Sequence, residues 1–499
     1  MAEEQALSDI LEPVEALRLE NEKLKLLTDG DPPTEILVVS DLHLGRGREP
    51  ETRRFVRTEN FVSDQAFGRW VYAMQPDKNK LLVLNGDTFD FIRICNCPGT
   101  AQDFAKWSAL LARLGAPRPT DQLEKAISNS ERRYGLQTED YKCVWKLLQI
   151  AEGHQEFFRA LAHWVEAGGS LLMGKGNHDL DIYWPLVRKA FCAFLKDQGA
   201  SKQSIEQRVF YCDSWIRIRN IYFEHGHQYD SQQKIEGPPT LPERPLELNL
   251  PLATFVARYL VNQLEKQEPF LGSIRPTERI LWIILRRHPI AGIAVLARSL
   301  RFIRRAAEMS KVRDSFWYIV FFATVALPLV TFVPLVLIIF FPQVLKWMTV
   351  GVRTWAISVG VIGMLAPYIA AALREFLFFL NDRRPPPIGE DAFAQGVYKT
   401  MQKMQFSPAT RIYAVMGHTH DQDIQSLPEI NGAKVLYLNT GSWIPVWPED
   451  RPDLAGQVLY PFVHFKLHPT SEYHHFYAEW RDDRGHAAEA YILAPISRK

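Results

Sequence analysis

The chain has 499 residues, long enough to bury a large core and longer than a typical single domain. Its formal net charge of +1 gives no global pull toward nucleic acid or acidic surfaces, and no nucleic-acid partner is expected. The five cysteines (Cys95, Cys97, Cys143, Cys192, Cys212) are odd in number and lack zinc-ribbon spacing, which predicts free thiols in a reducing compartment.

In chain order, residues 1–33 form an acidic tail patterned as a short amphipathic helix. No basic region precedes an apolar core there, so it does not read as a signal peptide. The run EILVVSDLHLG predicts a strand ending in Asp41-Leu42-His43, and KLLVLNGDTFD a second, ending in Gly86-Asp87-Thr88-Phe89-Asp90. Helical patterns follow at 141–167 and 183–196, with the strand GSLLMGKGNHDLD, ending in Gly176-Asn177-His178-Asp179, between them. WIRIRNIYFEHGHQYD reads as two short strands around Arg219-Asn220, ending in His225-Gly226-His227. Late in the chain, RIYAVMGHTHD repeats the theme with His418 and His420. Continuous apolar runs predict strands covered on both faces, with helices between them. The fold class is therefore α/β, with one polar rim.

The rim decides the chemistry. Carboxylates, one amide and neutral imidazoles suit Mn, Fe, Zn or Mg, and no thiolate site is on offer. Two neighbouring ions need a shared carboxylate and about three further ligands each. The count fits: Asp41, His43 and His420 for one ion, Asn177, His225 and His418 for the other, and Asp87 between them.

This ordered set, D-x-H, G-D-x-x-D, G-N-H-D, H-G-H and G-H-x-H, resembles the calcineurin-like metallophosphoesterase superfamily over about residues 35–230 and 408–450. SDLHLG, GDTFDF, HGHQYD and YLNTGSW are most similar to its bacterial UDP-2,3-diacylglucosamine pyrophosphatase-like branch, whose best-known members carry Arg where this chain has His178. The resemblance implies a β-sandwich flanked by helices, two divalent ions (Mn first; Fe, Zn or Mg as alternatives) and a phosphate-ester substrate. It gives the same seven ligands. It also implies that His178 steadies the phosphate or protonates the leaving oxygen, that Asp179 orients His178, and that Asp90 stands behind the ligands. For His227 two readings stay open, a solvated rim residue and a phosphate contact.

From Ser315 to Leu345 the sequence has 31 consecutive uncharged residues, and from Thr354 to Leu373 another 20. At about 1.5 Å per residue either helix would cross a hydrocarbon core of roughly 30 Å. Transmembrane helices are expected at about 316–342 and 354–373. Because the hairpin falls between His225 and His418, an even number of crossings keeps both halves of the site on one side. Between 286 and 313, eight Lys/Arg face one acid, Glu308, which puts the catalytic part in the cytoplasm. Residues 279–308 alternate apolar clusters with arginines and read as a basic helix in the headgroup layer, which Leu252–Gln267 would extend.

The expected organisation is a split catalytic domain, 34–235 and 400–499, interrupted by a helical insertion at 236–399. The expected function is hydrolysis of a phosphomonoester, phosphodiester or pyrophosphate, with a lipid-linked substrate kept close by the anchor. The rival is a membrane scaffold with a vestigial site, which the complete ligand set disfavours.

Overall fold

The computed structural model describes residues 23–271 and 390–489 apart from short gaps, with a few positions between 283 and 295. The chain divides into two compact units, Met1–Arg279 with Phe393–Lys499, and Ile280–Ala392. Both expected membrane helices and most of the basic stretch 279–308 lie outside the described residues. Among the described residues no helix is long and apolar enough to cross a membrane.

The first unit is mixed α/β. Its described strands are β1 (Glu35–Val39), β2 (Lys80–Asn85), β3 (Ser170–Gly174), β4 (Val209–Cys212), β5 (Trp215–Ile218), β6 (Ile221–Glu224), β7 (Thr240–Leu241) and β8 (Arg244–Leu248). After the second unit come β9 (Arg411–Met416), β10 (Gln422–Ile430), β11 (Ala433–Thr440), β12 (Pro445–Val446), β13 (Gln457–Val458), β14 (Pro461–Leu467), β15 (Tyr473–Arg481) and β16 (His486–Glu489). A seven-stranded sheet runs β16-β15-β14-β1-β2-β3-β4, and a five-stranded sheet runs β10-β11-β9-β6-β5. β1 to β4 are parallel, as are β6, β9 and β11.

Side-chain alternation turns these ladders into layers. Ile36, Val38, Leu81, Val83 and Leu172 of the first sheet share a core with Ile216, Ile221, Phe223, Val415 and Leu438 of the second. Their neighbours Leu37, Val39, Leu82, Leu84 and Met173 face the other way, onto helices such as Gln155–Glu166, which brings Phe157, Phe158, Leu161 and Trp164. On the far side, Tyr222, Ile412, Ala414 and Tyr437 meet Phe393, Val397 and Met401 of helix Glu390–Met401. Both faces of the central strands β1, β2, β3, β6 and β9 are covered, which is why their sequences are nearly continuous in apolar residues. Burying each such side chain contributes roughly 1.5–3 kcal/mol.

The described residues between 237 and 271 group with the first unit. The reason is polar. Asn262 Nδ2 donates to Ile92 O (2.8 Å), Arg258 Nη2 donates to Gly135 O, and both side chains are buried. Arg258 and Asn262 thereby tie this segment to the body of the unit. All five cysteines are free thiols.

Candidate metal centre

β1, β2, β3, β6 and β9 bring their carboxyl ends to one rim, the usual place for a ligand site on parallel strands. Backbone bonds stitch the turns together there: Asp41 N donates to Gly86 O (3.2 Å), His43 N to Asp87 O (2.9 Å) and Gly417 N to His225 O (3.0 Å). Asn85, the last residue of β2, crosses between the sheets, its Nδ2 donating to Glu224 O (2.9 Å) and Val415 O (3.2 Å).

Close approach requires glycine at two positions. A Cβ at Gly176 would run into the Asp87 carboxylate, and one at Gly417 into that of Asp41. Strain marks the same turns. Asp41, His43, Asp87, His418 and His420 have φ of 52°, 52°, 50°, 73° and 67°. Non-glycine residues rarely hold this conformation, and those that do gather at functional sites.

The structure brings all seven predicted ligands together, in one group around Asp41, His43 and His420 and a second around Asp87, His225, His418 and Asn177, with His43, Asp87 and His178 forming a set that links them. In the first, His420 Nε2 lies 3.4 Å from Asp41 Oδ1 and 2.9 Å from His43 Nε2. In the second, His225 Nε2 lies 3.3 Å from Asp87 Oδ2, and His418 Nδ1 lies 3.0 Å from Asn177 Oδ1. Asp87 Oδ2 is also 3.8 Å from His43 Nε2, so this carboxylate stands between the groups. Donor atoms of Asp41, His43 and His420, and of Asp87, His225 and His418, lie within 4.8 Å of one another in each set.

Supporting bonds fix where each donor points. Asn85 O lies 3.0 Å from His225 Nδ1; when that nitrogen carries the proton and donates, Nε2 keeps its lone pair for the site. Asn177 Nδ2 donates to Gln233 Oε1 (3.3 Å), which turns its Oδ1 inward. His178 N donates to Asp87 Oδ1 (2.8 Å), and His418 N to Asp41 Oδ2 (3.0 Å).

Three observations show that this donor set fits divalent cations. His225 Nε2 is buried and has no hydrogen-bond partner among the described residues. The donors are nitrogen and oxygen in the mixture that borderline-hard ions prefer. Finally, the carboxylates hold positive charge in place. Burial opposes ionisation of Asp41, yet the imidazoles of His225, His43 and His420 bring it down to about 2. Burial would lower His43, and Asp41, Asp90 and Asp87 instead push it up to about 10. His225 rises to about 9 against the same burial, through Asp87 and Asp41. Metal binding competes with protons for such groups.

One predicted role moves to another residue. Asp179 does not orient the His178 ring: it accepts from Gly176 N (2.6 Å) and Thr88 N (2.8 Å), fastening one turn to the next. Asp90 takes that place, with Oδ2 3.1 Å from His178 Nδ1 and 3.3 Å from His43 Nδ1. Neither contact is a hydrogen bond, and both nitrogens remain without one. His227 is buried, so the solvated-rim reading is excluded. Burial pushes its imidazole well below the usual histidine range.

Two residues of the site were not singled out from sequence. Asp230 Oδ2 lies 3.2 Å from His418 Nε2, and Phe393 stacks on the His418 ring, 6.0 Å between centroids. Asp230 closes the quoted HGHQYD, and its place in a ligand-bearing turn was the available signal. Phe393 had none, since it reaches the site from a helix beyond the second unit. No protein-family description matches the chain, and no curated protein matches it.

Proposed function

We propose that this chain is a dinuclear metal-dependent phosphoesterase, anchored in a membrane by the apolar runs of 315–373, with its catalytic unit facing the cytoplasm. Its reaction class is hydrolysis of a phosphomonoester, phosphodiester or pyrophosphate, and the anchor favours a lipid-linked substrate. The observation that carries the reading is the convergence of five strand-end turns on two donor groups linked through His43 and Asp87. The two-sheet sandwich covered by helices agrees with the superfamily whose motif order the sequence resembles.

Asp41, His43 and His420 would hold one ion, Asn177, His225 and His418 the other, and Asp87 both, with Mn the first candidate. When bound, two such ions supply Lewis-acid polarisation of a phosphoryl group and activation of a nucleophile near neutral pH. The protein's own part is placement. Strained turns and short supporting bonds fix the donors before a ligand arrives. His178 is part-exposed, and with Nδ1 turned to Asp90 its other nitrogen is left for a substrate oxygen. There it can give a proton to the leaving group.

The test is an assay of purified, Mn-loaded full-length protein against simple mono- and diesters, nucleotide-sugar lipids and phospholipids. Asp87→Ala should abolish hydrolysis and leave the protein in the membrane fraction. Full activity in that variant refutes the assignment.

A further inference from the structure

The helix Glu390–Met401 and the turn that carries His225 interlock at two glycines. Just past β6, Gly226 has φ of 110°, and the 3-10 turn His227–Tyr229 follows it. A Cβ at Gly226 would run into the tip of the Phe393 ring, so that ring occupies the notch the glycine leaves. One turn further along each element the contact is returned: a Cβ at Gly396 would run into the Tyr229 ring. Glycine inside a helix weakens it relative to alanine, so its place at 396 answers to this close approach.

The same Phe393 ring bears on a candidate ligand. Both nitrogens of His418 are engaged at the ring's edge, Nδ1 3.0 Å from Asn177 Oδ1 and Nε2 3.2 Å from Asp230 Oδ2. Those contacts set the direction of the edge, and the tilt of the ring is left to its neighbours. Phe393 lies nearly parallel to it, 16° between planes and 6.0 Å between centroids, while His225 meets it at 75° and 5.4 Å. Phe393 is itself held edge-on by Tyr229 (5.6 Å) and Tyr437 (6.3 Å). Tyr229 is pinned in turn, its hydroxyl donating to Glu224 Oε2 (2.8 Å). On the same helix face as Phe393, Val397 and Met401 are buried in a cluster with Ile412 and Ala414 of β9. A packed helix, not a loop, therefore delivers the ring.

We propose that Phe393 is a positioning residue for the half of the centre that contains His225 and His418: wedged between Gly226 and His418, it fixes the tilt of the His418 imidazole and the seat of the His225 turn. The inference rests on the metal-dependent reading of the site and adds to it a residue with no donor atom of its own. The interlocked residues all belong to the first unit, which resumes at Phe393.

Phe393→Leu keeps an apolar side chain and removes the flat ring. Mn(II) titration of the purified full-length protein, followed by electron paramagnetic resonance, should show one ion bound about 10-fold less tightly, the lower end of what the surroundings of metal ligands contribute. That ion should be the one whose binding His418→Ala abolishes, and the other should stay within twofold of wild type. Denaturant unfolding of the same variant separates the roles: a side chain that only fills space shifts the midpoint and leaves the Mn(II) affinity of the folded protein unchanged. Should Phe393→Leu not fold, Gly396→Ala takes its place, since it favours the helix and presses on Tyr229 from the other side of the interlock; a loss of about threefold is expected for the same ion. Binding of that ion within twofold of wild type overturns the proposal, and so does an equal or larger loss for the other ion. A wild-type protein that takes up no Mn(II) defeats the metal-dependent reading itself, and this role with it; wild-type uptake that the variant leaves unchanged defeats this role alone.

Discussion

The two halves of the proposed metal centre offer the same kinds of donor and are supported differently. In the first, His43 is backed by the buried carboxylate of Asp90, which in turn is held by Arg93. In the second, His225 is backed by a neutral carbonyl, Asn85 O, and His418 by Asp230, whose side chain is 37% exposed. A carboxylate in a dry setting acts on its neighbour far more strongly than a carbonyl or a hydrated acid. On the proposed reading, the first half would hold its cation the more tightly. The second, with His227 and Asp230 beside it, is the softer half.

That asymmetry can be broken from either side. The largest effect is expected for Asp90→Asn, which weakens the support of His43 and His178 together: Mn(II) affinity of the tighter class should fall about 100-fold, the upper end for such supports. Equal binding in wild type and variant, measured by titration, would remove the distinction between the halves. Asp230→Asn should cost about 10-fold and only in the weaker class, since water already screens this carboxylate. A loss spread equally over both classes would count against the division.

The smallest effect concerns a histidine backed by carboxylates outside the candidate centre. Burial would lower His154, but Asp64 at 2.8 Å and Glu59 at 3.3 Å push it up to about 10, from 6.5 when exposed. A raised value means that the folded state binds the proton more tightly. Its stabilising contribution is therefore complete below pH 6.5 and is lost as the pH rises through about 10. Denaturant unfolding across that window should show a decline that His154→Gln flattens. An unchanged slope would show that the charged pairing does not contribute.

Much of the candidate site was legible because the residues gathered there sit in short motifs at strand ends, where residue type and spacing both carry information. Their supports were harder to read. Asp90 and Asp179 stand in similar places beside ligands, and only the path of the turn decides that one reaches His178 while the other folds back onto backbone N–H groups. His154 showed no partner in sequence because Asp64 and Glu59 lie 90 and 95 residues away. Positive φ at Asp41, His43, Asp87, His418 and His420 leaves no trace in residue type, since none is glycine. The sheet pattern was readable from apolar runs. In the segment 252–271 the buried Arg258, Asn262 and Glu265 look like surface residues until their partners are known.

The most direct test counts the cations. Purified protein loaded with Mn(II) and freed of excess should retain two ions per chain by elemental analysis, with the spin-coupled resonance of a neighbouring pair, and Asp87→Asn should abolish the coupling. A single ion per chain, or two that give uncoupled spectra, would contradict a centre built around a shared Asp87.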